Sequence, residues 1–227
     1  MTIKLATLVF TPLVLLLFCL LGLIIPATID ATLWLLKENH PVELLTFISL
    51  LAAGILGIRL IWLTRQTGEA WWISIFFTLF TIAILFTAME EIAWGQWFFG
   101  FDTPEVWRDI NRQDETTFHN IGSLQGHTEI LRVIFGLGGL IGLALNWLPK
   151  FKPIAVPQAL WLWFIIIAGH ASIDYYNDFY SIGKQFDWVM MKSSEFLEML
   201  IGMAGFLYVS LHWKFRVKFK TVTQAQV

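Results

Sequence analysis

The residues best suited by type and spacing to do chemistry are Glu90-Glu91, His119, the His170/Asp174 pair and the Glu195/Glu198 pair. On a helix, partners three or four apart share a face, so each of the last two pairs presents its groups together. Two chemistries suit such a set. In the first, Glu91 acts as general base on a water, and Glu90, by like-charge proximity, keeps one carboxyl of the pair protonated. His119, His170 and Asp174 would then orient the water and support the developing oxyanion. In the second, Glu91, His119, His170, Asp174, Glu195 and Glu198 supply mixed donors to a divalent metal such as zinc. The chain contains neither H-E-x-x-H nor Glu-x-x-His, so the spacing does not select the metal over the metal-free mechanism.

The elements that must carry these residues are dictated by composition. Of 227 residues, 57% are hydrophobic and 14% charged, against roughly 45–50% and 25% in a soluble domain. Mean hydropathy is +0.67. Apolar runs cover residues 8–25, 42–63, 71–89, 130–148, 159–176 and 196–212, and about 20 apolar residues cross a hydrocarbon core. The expectation is an all-α polytopic membrane bundle of about six transmembrane helices, forming a single transmembrane domain in contact with lipid. The first run follows Lys4 but is longer than a signal-peptide core and has no small-residue cleavage site after Pro26, so it reads as a retained span. A net charge of −2 gives no electrostatic footprint for nucleic acid. Cys19 is the single cysteine, which excludes an intramolecular disulfide and a cysteine-based zinc site.

Six spans put both termini on one side. That side carries Lys4, Arg59, Arg65, Lys150, Lys152, Lys214, Arg216, Lys218 and Lys220; the other carries Lys37, Arg108, Arg112, Arg132, Lys184 and Lys192. The positive-inside rule then predicts cytoplasmic termini in a bacterial inner membrane. Apart from Glu69, every acid falls on or near the outer side, where all the candidate site residues also lie. Ionisable groups at such depth are expensive unless paired or lining a cavity.

Residues 97–129 form the longest segment outside the spans. Asp102 or Thr103 is placed to cap a short interfacial helix with Pro104 in its first turn and Val106, Trp107 and Ile110 on one face. The polar stretch after that helix should fold back over the helix ends and bring His119 toward the Glu pair. Gly138 and Gly142 make a G-x-x-x-G in a glycine-rich span, a packing signal in lipid. His40 and His212 read as structural histidines, and residues 213–220 alternate aromatic and basic side chains as a headgroup anchor.

The stretch Glu90-Glu91-Ile92-Ala93-Trp94-Gly95-Gln96, followed by Thr103-Pro104 and then Asn111, Gln113, Glu115 and His119-Asn120, resembles a bacterial multi-pass membrane family of no settled activity. A second, partial resemblance is to the CAAX prenyl endopeptidase type of membrane protease, through Glu90-Glu91 and His170-x-x-x-Asp174. Gly95 stands where that pattern has Arg, and its F-x-x-x-H is absent. These resemblances imply a shared site, and the second implies Glu-activated water. The sequence thus leads to a hydrolase acting on a lipid-linked or membrane-proximal substrate. The alternative is a non-catalytic metal-binding protein or an assembly subunit of a larger membrane complex.

Overall fold

The computed structural model describes residues 3–109, 111, 116–118 and 128–224, except the side chains of Trp97, Thr128 and residues 219–224. It is all α, with no strand element among the described residues. α1 (Ile3–Ile24), a short α2 (Ile29–Leu35), α3 (Pro41–Gln66) and α4 (Trp71–Glu90) lead to two single-turn helices, α5 (Gln96–Phe99) and α6 (Glu105–Arg108). α7 (Thr128–Ala144), α8 (Trp161–Asn177) and α9 (Lys184–Gln224) complete the bundle. Five of these helices are long and apolar enough to cross a membrane; α8, which covers the remaining expected span, has 17 residues, is not one of the five, and packs between α7 and α9. α1 belongs to the packed bundle, and Trp163 Nε1 of α8 donates to the Leu8 carbonyl at 2.9 Å.

α9 is the most buried long helix. Ser193, Leu197, Leu200, Ala204, Tyr208, His212 and Arg216 recur every three or four residues and are all buried, so they form one stripe facing the other helices. The middle of that stripe is apolar and both ends are polar. The helix is also much longer than the expected 196–212 span: 41 residues, about 60 Å at 1.5 Å per residue. Hydropathy marks the part of a helix that sits in lipid, whereas the helix itself continues for as long as its backbone bonds are supported. At its start, Asp187 receives the Ser181 hydroxyl and the backbone N–H groups of Ile182 and Gly183.

The glycines of α7 pack, but not through the expected pair. Gly138 faces open space, whereas a Cβ on Gly136 would lie 2.6 Å from the Ala168 backbone nitrogen and one on Gly139 would lie 1.8 Å from the Phe164 ring. Gly142 meets Val156. The contact face therefore runs Gly136, Gly139, Gly142, a spacing of three, because α8 crosses that flank of α7. This close approach sets the position of α7's first turn against the end of α8. Gly136→Ala should cost about 1–3 kcal/mol through overpacking, while Gly138→Ala should be neutral or gain up to about 1 kcal/mol in helix propensity. Unfolding of the two purified variants in detergent checks the contrast.

Candidate functional site

The Glu90-Glu91 pair ends α4 and enters a turn built from unusual backbone. Ala93 and Trp94 have φ of 45° and 55°, followed by Gly95 at 89°. Left-handed conformations cost non-glycine residues of order 1–3 kcal/mol each, so neighbouring contacts must hold them. Trp94 Nε1 donates to Glu90 Oε1 at 2.5 Å, and the backbone N–H of Phe118 donates to Glu90 Oε2 at 2.7 Å. Trp94 and Phe86 pack around the Phe118 ring. Gln96 gives its amide hydrogen to Thr103 Oγ1 at 2.9 Å and accepts the Thr116 N–H at 2.8 Å. Asn111 Nδ2 donates to the Thr117 carbonyl at 3.0 Å.

The described part of the polar loop, residues 116–118, therefore folds back onto Gln96 and Glu90, whereas His119, one residue after Phe118, lies outside the described residues. The expected cap is replaced. Pro104 stands at the N-cap of α6, and Thr103 binds Gln96 instead. α6 is also only four residues long, and Ile110 lies outside the described residues. The physical reason is that Thr103 is buried beneath the loop, where its hydroxyl needs a side-chain partner more than the exposed start of a single turn does.

Glu90 is thus a buried loop anchor. Glu91, its neighbour, is half-buried, and its carboxyl makes no hydrogen bond or ion pair among the described residues. Burial, followed by the nearby charges of Glu198, Glu43, Glu195 and Glu90, holds its carboxyl well above the ordinary value of 4.5. Glu43 comes from the first turn of α3 and Glu195 and Glu198 from α9, so two helix ends, the turn and the flank of α9 converge here.

The group that makes this convergence tolerable is Arg132, which by sequence is only one more charge on the outer side. It is 6% exposed. Its Nη1 reaches Glu198 Oε1 at 3.0 Å, and its Nη2 reaches both Glu129 Oε1 and Asp174 Oδ2 at 3.2 Å. One guanidinium thus joins α7, α8 and α9. Its fixed fork of donors suits several carboxylates where a point-charge ammonium would not. A signal for it does exist in the sequence: an arginine within an apolar span, three residues after an acid, with unpaired acids on the neighbouring helices.

His170 lies one turn before Asp174, buried, with Nε2 2.7 Å from Ser193 Oγ. The Ser193 hydroxyl donates to the Met190 carbonyl at 3.1 Å. Its single hydrogen is then used, so Nε2 carries the imidazole proton and Nδ1 is an acceptor. His170 Nδ1, Arg132 Nε, Glu129 Oε2 and both amide atoms of Asn177 are buried without a hydrogen-bond partner among the described residues.

The candidate residues Glu91, Asp174, Glu195, Glu198 and His170 accordingly occupy one end of the bundle, where Arg132 binds Asp174 and Glu198 and Glu91 lies near Glu195 and Glu198. Among the described residues, however, no three His, Cys, Asp or Glu side chains converge to hold a metal ion. Asp174 and Glu198, two of the expected ligands, bind a guanidinium instead. Comparison with family models, curated proteins and solved structures finds no match for the chain.

Arg132→Ala should destabilise the purified protein by about 3–5 kcal/mol, since it strands buried carboxylates; denaturant unfolding in detergent measures it. A second outcome concerns pH. The folded state holds the Glu91 proton more tightly than the unfolded chain does. Its contribution to stability is therefore full below about 4.5 and is lost as pH rises through the higher folded value. Thermal midpoints measured across that range should fall less steeply in Glu91→Gln than in the wild type.

Proposed function

We propose that this chain is a membrane-embedded hydrolase of the bacterial inner membrane, with both termini cytoplasmic and Glu91 as the base that activates water. The observation that carries this reading is the division of labour within the motif. The side chains of Glu90, Trp94, Gln96, Thr103 and Asn111 are all engaged in building the loop, while among the polar side chains of Glu90–Gln96 that of Glu91 alone makes no hydrogen bond among the described residues. A carboxyl held above its ordinary value by burial and by neighbouring acids is suited to accept a proton there.

The supporting roles differ from those expected of the residue types alone. His170 Nδ1 is an acceptor, so it can relay a proton but cannot donate to an oxyanion while neutral. Arg132 has an Nε–H without a partner among the described residues and a fixed positive charge, which suits it to stabilise developing negative charge. Asp174 and Glu198 position Arg132, and Glu195 shares the acidic surroundings of Glu91. Such an excess of carboxylates disfavours phosphate groups. It favours an ester or amide carbonyl on a lipid-linked or membrane-proximal substrate. The partial CAAX-type pattern in Glu90-Glu91 and His170-x-x-x-Asp174 agrees with Glu-activated water.

Incubation of membranes containing the wild-type chain in ¹⁸O-water tests this with no need to supply a chosen substrate. Hydrolysis should place ¹⁸O in the carboxylate of lipid or peptide products, and Glu91→Gln should abolish that labelling at equal protein abundance. Labelling that is equal with wild type, Glu91→Gln and no protein would overturn the reading.

A further inference from the structure

At the end of the bundle opposite Arg132, a cavity of about 740 Å³ lies between the start of α4, the loop joining α7 to α8, and the last turns of α9. His212 and Arg216 form its polar floor, and hydrogen bonds tie α9 to the loop beneath it. Tyr208, His212 and Arg216, at successive turns of α9, each bind one carbonyl of that loop: Ile154 at 2.7 Å, Ala155 at 3.0 Å and Pro153 at 3.0 Å. Arg216 also grips both oxygens of Glu69 at 2.8 and 2.9 Å, and its Nη1 lies 3.0 Å from His212 Nδ1. His212 Nε2 donates to the carbonyl, so Nδ1 accepts from Arg216. Of the five guanidinium hydrogens, one on Nη1 remains. His212 is thereby the structural histidine expected.

The walls are apolar, with Ile73, Pro157, Leu211 and Phe215 among them, and the exposed Lys152 lines the opening. Near its lining residues in the chain, Arg65, Lys150, Lys214 and Lys218 are exposed without an acidic partner among the described residues. Glu69 is neutralised by Arg216. Exposed Trp71 and Trp147, 75% and 82% accessible, mark this end as headgroup depth, where tryptophan collects. Apolar walls beneath a cationic mouth match one ligand chemistry, a negatively charged headgroup joined to hydrocarbon. Basic recesses between helices at this depth suit such headgroups. Free phosphate would leave the walls unused.

We propose that this cavity seats an anionic phospholipid from the adjoining leaflet, its phosphate at Lys152 and the remaining Arg216 N–H, its upper chain along Ile73, Leu211 and Phe215. The test uses the full chain purified in detergent, with thermal unfolding followed during titration with dioleoyl-phosphatidylglycerol, dioleoyl-phosphatidylcholine or inorganic phosphate. Phosphatidylglycerol should raise the midpoint saturably, and the other two should not. Lys152→Glu should raise the apparent Kd about tenfold or more, since it reverses a charge beside the headgroup. Ala70→Trp, which fills the cavity from its rim, should abolish the shift, and Lys184→Glu at the opposite end should leave it intact. An equal shift with phosphatidylcholine or phosphate would overturn the proposal. So would full phosphatidylglycerol binding by Lys152→Glu and Ala70→Trp.

Discussion

Arg132 places one positive charge, almost out of water, between carboxylates from α7, α8 and α9. Burying ions costs several kcal/mol each, and only mutual attraction with good geometry returns it. The arrangement of this end of the bundle is set by that requirement. α7 must approach α8 closely enough for the guanidinium to reach Asp174, which is what Gly136 and Gly139 permit. α9 must present Glu198 from a third direction. Remove the cation, and the same helix ends would repel one another.

The surplus of acid that remains is localised by this pairing. Glu198, Asp174 and Glu129 are oriented by Arg132, and Glu90 is saturated by Trp94 and Phe118. Glu91 and Glu195 keep the acidic environment without a binding partner among the described residues. A left-handed turn at Ala93, Trp94 and Gly95 redirects the chain immediately after Glu91. It lets the loop return onto Glu90 and leaves the adjacent carboxyl facing the helix ends.

α9 connects the two polar ends through a single stripe. Ser193 meets His170 at one end, Leu197, Leu200 and Ala204 form a dry middle, and Tyr208, His212 and Arg216 bind loop carbonyls at the other. The loop joining α7 to α8 contains Pro149, Pro153 and Pro157 and short 3₁₀ turns. Such a loop leaves carbonyls unsatisfied by helix or sheet. Supplying their donors from α9 holds it in place where Ile154, Ala155 and Val156 are buried away from water.

Much of this architecture is legible in residue order. Runs of apolar residues predict the helices, because crossing lipid requires length and hydropathy that any window of sequence reveals. The one-sided distribution of acids predicts the end at which Glu91, His170, Asp174, Glu195 and Glu198 gather. The E-E-x-x-W-G-Q stretch marks a local structure with a purpose, but its residue types cannot say which carboxylate is a brace. That depends on Trp94 and on Phe118, 28 residues away from Glu90. Arg132 looks like one more outer charge, since a sequence shows neither burial nor which acids lie opposite. The packing face of α7 moves from Gly138 to Gly136 and Gly139 for a similar reason: one helix offers several small faces, and its neighbour selects among them. Periodicity and hydropathy are properties of one segment, so the sequence alone determined the spans and the end where the acids collect. Pairing of charges, commitment of hydrogen bonds and choice of packing face are properties of two or more segments at once, so only the tertiary structure decided them.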